Sequence, residues 1–524
     1  MNRIGSIFCS FFVMFIGYSC FRHGIFTTIA YAGSKRVYLR KGEEHPLNTK
    51  TLALPALSLL LAFGAAGCSP DMAAKQTGSG FTPLGKEETA KIKVLFYNDQ
   101  AFNMLYGSAF SVKHPNIEVE VVSMMPLMMS GNPSKEAFDQ LIKEQKPDVL
   151  FLNAEQYQRL SGDGRLLQLD PIVKQTGFDI ENLHPTVVEL LKSKGNGSLY
   201  GLAPSFGGRA LFYNKDLFDR YGVAYPTDQM TWDEVLQLAK RFPADQQGDQ
   251  RIYGYASSGY GMGPASGYFE LVYDIGLTQG LQMIHPDDKT IVNMKSEGWK
   301  KTLQSAVDAY KSGSVRPPAK PTFDENKPET IYTQNPFIAG KAAMTLGGYY
   351  MITSMEQAAQ NVKSLKPVQW EAVTEPVDPA NPDQSSSFYI NQIVSISEDS
   401  DAQSAAWELV EYINSDELAK TLSKSAFELL SRPAYMKEKN GRSLESFYKL
   451  KPSDKNTGDF TGVPISFYAA FDKAANQEIE ALMQNKISVD QALQNIEQLA
   501  QQELIKAKAA QPEDNSAQQP STSP

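Results

Sequence analysis

Aromatic rings and planar polar side chains gather in a few short stretches of the chain. Tyr97, Asn98 and Asp99 are consecutive, and Phe206 and Arg209 share the stretch PSFGGRALFYN. Tyr260 lies in the Gly-rich SSGYGMGPASGYF, and Tyr349 and Tyr350 follow a Gly-Gly pair. Asn153 closes the apolar run Val149–Leu152. Flat rings pack against the C–H face of a pyranose, while amide, carboxylate and guanidinium groups pair with hydroxyls. These are the tools of solute binding. GxSxG, HExxH and Walker-type phosphate-loop patterns are absent. A glycosidase needs only two placed carboxylates, which 59 Asp/Glu residues can supply, so composition alone leaves hydrolysis open.

The elements that must position these groups can be read from hydrophobic period. Lys91–Tyr97 (KIKVLFY), Ile117–Val122 and Val149–Leu152 read as strands, with helical periods over Ala101–His114 and Ser134–Glu144 between them. Alternation of this kind predicts an α/β fold with a parallel sheet. Ligands of such sheets bind beyond the carboxyl ends of the strands, which points to Tyr97-Asn98-Asp99 and to Asn153–Gln156. Thr231 and Glu234 have capping-box spacing, making Trp232 a packing residue. Trp407 shares a helical face with Leu409, Val410 and Ile413, and reads as core. Gly340 suits a tight turn into a buried strand.

The chain has 524 residues, long enough for two or more domains, since single cores stop growing near ~250–300 residues. Residues 1–67 carry seven Lys/Arg and two Asp/Glu, leaving 43 basic and 57 acidic residues, a net of −14, in the remainder. That balance argues against a nucleic-acid partner, which needs clustered positive charge. Cys9, Cys20 and Cys68 are the only cysteines, so the body has no disulfide and no thiolate metal site. Its three histidines, His114, His184 and His285, are widely spaced. No metal or cofactor is expected.

Two apolar runs precede the body. Ile4–Phe21 has the length of a membrane-span candidate, and Thr51–Ala66 that of a signal-peptide core. Ala65-Ala66-Gly67-Cys68 resembles a bacterial lipoprotein signal, in which small side chains admit the peptidase and the thiol takes diacylglycerol. Cys68 is thus the expected lipid attachment site and start of the mature chain, at the outer face of the cell membrane. A signal this deep predicts that translation begins at a non-Met codon near Val37 or Leu39, leaving residues 1–38 unmade; if they are made, Ile4–Phe21 is a membrane span. Ser69–Gly85 reads as a flexible tether, and QPEDNSAQQPSTSP as a tail that cannot pack.

Seven stretches of the body then resemble one family in its own order. They are His114-Pro115-Asn116-Ile117, Lys146-Pro147-Asp148-Val149, Gly164–Leu169, Leu199–Pro204, Phe212–Phe218, Thr231–Glu234 and Phe337–Met344. Together they are similar to the family 1 extracellular solute-binding proteins of ABC importers, the maltose- and oligosaccharide-binding type, over about Ile92–Pro433. The resemblance implies two α/β lobes joined by a hinge crossed more than once, with the ligand in the cleft and closure creating a surface for the permease. Crossings are expected near Pro204–Leu211, Tyr332–Pro336 and Glu375–Tyr389. Lobe 1 would then be 91–204 plus 336–375, and lobe 2 would be 205–335 plus 376–433. The leader is 1–67 and the tether 68–90; helices over 434–508 pack across lobe 1, and 509–524 forms the tail.

The implied function is capture of a carbohydrate, an oligosaccharide, by a monomeric lipoprotein that hands it to ABC permease subunits without enzymatic turnover. A non-sugar solute (peptide, polyamine or sugar phosphate) or a sensor role on the same fold is the alternative, with a surface carbohydrate-active enzyme behind both. The expected ligand-binding residues are Tyr97, Asp99, Asn153, Phe206, Arg209, Tyr260, Tyr349 and Tyr350. Several keep a second reading: Tyr97 as packing, Arg209 as a hinge salt bridge, Tyr260 as loop surface, and one rather than both of Tyr349 and Tyr350. Trp370 reads as core. The Met-rich MMPLMMSGNP (Met124–Pro133) is either buried packing or an adaptable lip.

Overall fold

The computed structural model describes residues 81–85, 87–129, 134–248, 251–258, 265–319, 329–453 and 463–510. Cys68 with its leader and most of the tether, Tyr260, and the tail from residue 511 lie outside the described residues. Among the described residues, no helix is long and apolar enough to cross a membrane.

The strands in chain order are β1 (Ala90–Phe96), β2 (Ile117–Ser123), β3 (Val149–Leu152), β4 (Gly201–Leu202), β5 (Ser205–Phe206), β6 (Arg209–Asn214), β7 (Tyr253–Tyr255), β8 (Ala342–Gly348), β9 (Trp370–Thr374), β10 (Gln384–Ser385), β11 (Ile393–Ile396) and β12 (Leu429–Leu430). The helices used below are α1 (Ala154–Gly162), α2 (Trp232–Ala239), α3 (Phe269–Thr278), α4 (Glu297–Lys311), α5 (Tyr350–Asn361), α6 (Gln403–Ile413), α7 (Ile465–Met483) and α8 (Val489–Ala509). A five-stranded sheet in the order β2-β1-β3-β11-β4 forms the first lobe, and a four-stranded sheet, β7-β8-β6-β9, forms the second. In the first, β1 pairs in parallel with β2 and β3, as the strand–helix alternation predicts, while β11 runs antiparallel.

Alternation along β6 explains how the second sheet is held. Ala210 and Phe212 face a core that also contains the first lobe's Val94, Leu152 and Trp407, whereas Leu211 and Tyr213 face a second core with Trp232, Phe269 and Trp299. Every residue of β8 is buried, as a central strand covered on both faces requires. Gly340, at φ +68°, makes the turn before it. Trp232, Trp370 and Trp407 are all buried. The Thr231–Glu234 capping box forms, and the Trp232 indole N–H donates to Thr278 Oγ1 at 3.0 Å.

Several expected boundaries are corrected. β8 and β9 belong to the second lobe, not to the first as expected for 336–375. β11 belongs to the first lobe, and α6 packs on that sheet, although 376–433 was assigned to the second. α7 and α8 pack on the second lobe's core rather than across the first. Tyr332–Pro336 makes no crossing, because β7 and β8 share one sheet. The crossings expected near Pro204–Leu211 and Glu375–Tyr389 do occur, between β4 and β6 and between β9 and β11, and the chain returns to the second core after β12. An apolar run carries no mark of which sheet it joins; pairing between distant segments decides that. The tether also ends before Gly85, since the Phe81 ring meets Trp407 edge-on at 6.5 Å and Ser404 Oγ donates to the Thr82 carbonyl.

Candidate functional site

The register of the parallel strands brings three strand ends to one edge of the first lobe. Leu95 lies opposite both Val122 and Leu150, so Tyr97, Met124 and Asn153 emerge there together. Tyr97 is half-buried against the core, and Asp99 is exposed. Much of the polar capacity at this edge is spent locally. Asn98 Oδ1 accepts from the Ala101 amide at 2.7 Å, Asp99 Oδ1 from Asn103 Nδ2 at 3.0 Å, and Asn153 forms a capping box with Gln156 at the start of α1. A turn of π-helix (Asn103–Gly107) follows Asp99. Met125–Met129 is helical, with Met128 and Met129 exposed. These two residues are not buried packing, whereas Met124 and Leu127 of the same stretch pack against the first core.

Two crossings run side by side next to this edge. Gly207 and Tyr389 exchange backbone hydrogen bonds at 2.8 and 3.0 Å. A Cβ on Gly207 would sit 2.0 Å from the Tyr389 ring, so only glycine permits the approach. Phe206, expected at the ligand, is instead fully buried, stacked on Phe388 at 4.8 Å and edge-on to Tyr448 at 5.3 Å. It pins the crossings because β5 pairs with β12 and turns its ring inward.

The second lobe's edge is built on Arg209, the first residue of β6. Its amide donates to Ser387 Oγ of the neighbouring crossing at 2.9 Å. Its guanidinium donates to Asp274 Oδ1 on α3 at 2.6 Å, and its Nε lies 3.9 Å from Glu375 Oε2. Glu375, just past β9, is buried and accepts from Ser385 Oγ and from the Ser387 amide. Burial opposes the charge of Arg209, but Asp274 and Glu375 outweigh that and hold it protonated. Of its two readings, Arg209 makes the salt bridge.

Burial pushes the Glu375 carboxyl above its ordinary value, partly offset by Arg209 and by hydrogen bonds from Ser385 and Ser387. For such a carboxyl, folding stability is complete below the unfolded-state value and is lost as pH rises through the folded-state one. Wild type should therefore lose stability relative to Glu375→Gln over a pH range that begins near the ordinary carboxylate value of about 4 and extends upward. Urea unfolding of both proteins across that range measures it, and a constant gap would contradict the burial argument.

β6 and β8 pair Arg209 with Gly348, so Tyr350 comes close to the arginine. Tyr349 is buried and its hydroxyl has no hydrogen-bond partner, which removes it from the expected contacts. Tyr350 is half-buried against the core, its hydroxyl 3.3 Å from Ser258 Oγ and pushed up to about 12 by burial. A Cβ on Gly348 would meet the Tyr350 ring at 3.0 Å, so the glycine leaves room for it. Two surface depressions lie elsewhere, one between α2 and α4 beside Asp233 and Lys300, the other beside Asp170 and Phe178.

Two sheets joined by adjacent crossings, with strand ends and polar groups beside them, form a hinged binding frame. The family model described as bacterial extracellular solute-binding protein matches residues 89–420, across both sheets. The chain belongs to this family. The solute-binding protein is also similar in fold to solved structures that it covers almost end to end. An ABC substrate-binding protein of Listeria monocytogenes, in complex with cycloalternan, is 20% identical, with a TM-score of 0.51 over 79% of this chain and 99% of that one. The sugar-binding protein MalE of Xanthomonas citri is 19% identical, with a TM-score of 0.54 over 79% and 98%. A family 1 extracellular solute-binding protein of Alicyclobacillus acidocaldarius is 16% identical, with a TM-score of 0.56 over 81% and 99%.

Asp274, Glu375, Ser387 and Tyr389 escaped the sequence reading. Nothing local distinguishes them. They meet only because α3, β9 and the second crossing converge on Arg209.

Proposed function

We propose that this solute-binding protein captures a carbohydrate between its lobes, as a monomer, and delivers it to ABC permease subunits without turning it over. The family match across both sheets carries the reading. Sugar as the solute is supported by the Listeria and Xanthomonas structures, whose ligand or name is a carbohydrate, and by the partly accessible Tyr350 near Arg209. In this reading Tyr97 and Asp99 on one edge and Tyr350 on the other face the solute, with Tyr260 as a further stacking residue, while Asn153 and Arg209 hold the two edges in place through the helix cap and the salt bridge. An oligosaccharide is the expected sugar, like the cycloalternan bound by the Listeria protein. A lipid on Cys68 ties the protein to the outer face of the membrane.

Thermal-shift screening against mono- and oligosaccharides, sugar phosphates, amino acids and polyamines tests the reading. Stabilisation by a neutral sugar is expected; stabilisation by a non-sugar alone would refute the carbohydrate assignment. Tyr350→Ala should weaken sugar binding roughly tenfold, the scale of one good aromatic contact. Calorimetry reads this. Mass spectrometry of the membrane-bound protein should find diacylglycerol on Cys68, and an unmodified thiol there would remove the anchor.

A further inference from the structure

The helix that supplies Asp274 does not cap its own start. α3 begins after Tyr268, whose side chain makes no capping hydrogen bond. The cap, and the hold on the turn before it, come from α7, about two hundred residues later in the chain. Asp472 Oδ1 accepts from the Ser266 amide at 2.6 Å, and its Oδ2 accepts from Ser266 Oγ at 2.5 Å. One turn on, Asn476 Oδ1 accepts from the Phe269 amide at 3.2 Å, and its Nδ2 donates to the Ser266 carbonyl at 3.0 Å. Gly267 has φ +61°, and a Cβ there would lie 2.4 Å from Asn476 Oδ1. Phe471, on the same helix, packs against Phe269 at 5.2 Å. At its other end, α3 is held by the Trp232 indole on Thr278.

We infer that Asp472 and Asn476 are positioning residues for the binding cleft: Asn476 caps the first amide of α3 in trans, Asp472 fixes the Ser266 turn that leads into it, and together they set where Asp274 holds Arg209. The inference rests on the cleft assignment above and extends it to a helix pair beyond residue 420, where the family match ends. The physical ground is twofold. A helix whose first amides lack partners frays over its first turn. α3 is only ten residues long, so Asp274 stands in its second turn, within reach of that fraying.

The test compares wild type with Asp472→Ala, Asn476→Ala and Asp472→Asn, the last keeping an acceptor for the Ser266 amide. Hydrogen exchange without ligand is read first. Both alanine variants should exchange faster in peptides covering 269–278 and also 209–214, with α7 itself still protected. Faster exchange confined to 265–269 would overturn the proposal, because the cap would then be local. Binding is read with maltotriose at a temperature where every variant is fully folded. The alanine variants should bind about fivefold more weakly, the scale of one lost cap, with Asp472→Asn recovering most of the loss. A lowered melting temperature with unchanged maltotriose affinity also overturns it. If wild type does not bind maltotriose, that counts against the sugar reading, and the exchange result alone decides the role of the cap.

Discussion

Arg209→Ala should destabilise the protein by about 3–5 kcal/mol, the range for removing one partner from a buried ion pair. The arginine stands between two carboxylates, with Asp274 8% and Glu375 1% exposed at the side chain. Deleting it leaves both without a cation, and neither can reach bulk water to recover its hydration. Glu375 already resists ionisation in wild type, so the variant should resolve part of the strain by taking up a proton there. Two consequences separate this from a surface effect. The penalty should shrink as pH falls toward the carboxylate range, and a second substitution, Glu375→Gln, should restore part of the stability. Arg209→Lys should fall between, because a single ammonium cannot reproduce the planar fork that addresses Asp274 and Glu375 together. Urea unfolding at neutral and acid pH measures all of these. A penalty under about 1 kcal/mol, typical of exposed pairs, would show that the trio is solvated after all.

Phe206→Ala should cost a similar 3–5 kcal/mol, for a different reason: it opens a cavity. The ring is fully buried between Phe388, Tyr448 and His184 at the point where β5 meets β12. A ligand-contacting phenylalanine would lose affinity on truncation and leave folding stability nearly intact. The structure predicts the reverse order of effects, with a large fall in unfolding free energy and a secondary effect on binding through the crossings. Denaturant unfolding and calorimetric titration of one preparation distinguish the two. Phe206→Leu, which keeps most of the apolar volume, should recover more than half of the loss. An Ala variant as stable as wild type but deficient in binding would return Phe206 to the ligand.

What the amino-acid sequence determined by itself was local or periodic in origin. The β1, β2 and β3 runs, the helices between them and the Thr231–Glu234 cap follow from side-chain period and from hydrogen bonds three residues apart. The placement of Trp232 and Trp407 in the core follows from the same patterns, and that of Trp370 from the family resemblance. The two-lobe architecture was legible too, through seven short stretches in a family's order. Tertiary structure alone decided which sheet each later strand joined, because β8, β9 and β11 are uniformly apolar or short and their partners lie far away in the chain. It also decided the fate of the candidate site. Phe206 and Tyr349 turned inward, Arg209 was claimed by Asp274, and Asn153 spent its amide on a helix cap. A residue type states which bonds a side chain can make. Which of them it does make depends on neighbours such as Asp274, Glu375, Asp472 and Asn476, which reach the site only when the chain folds.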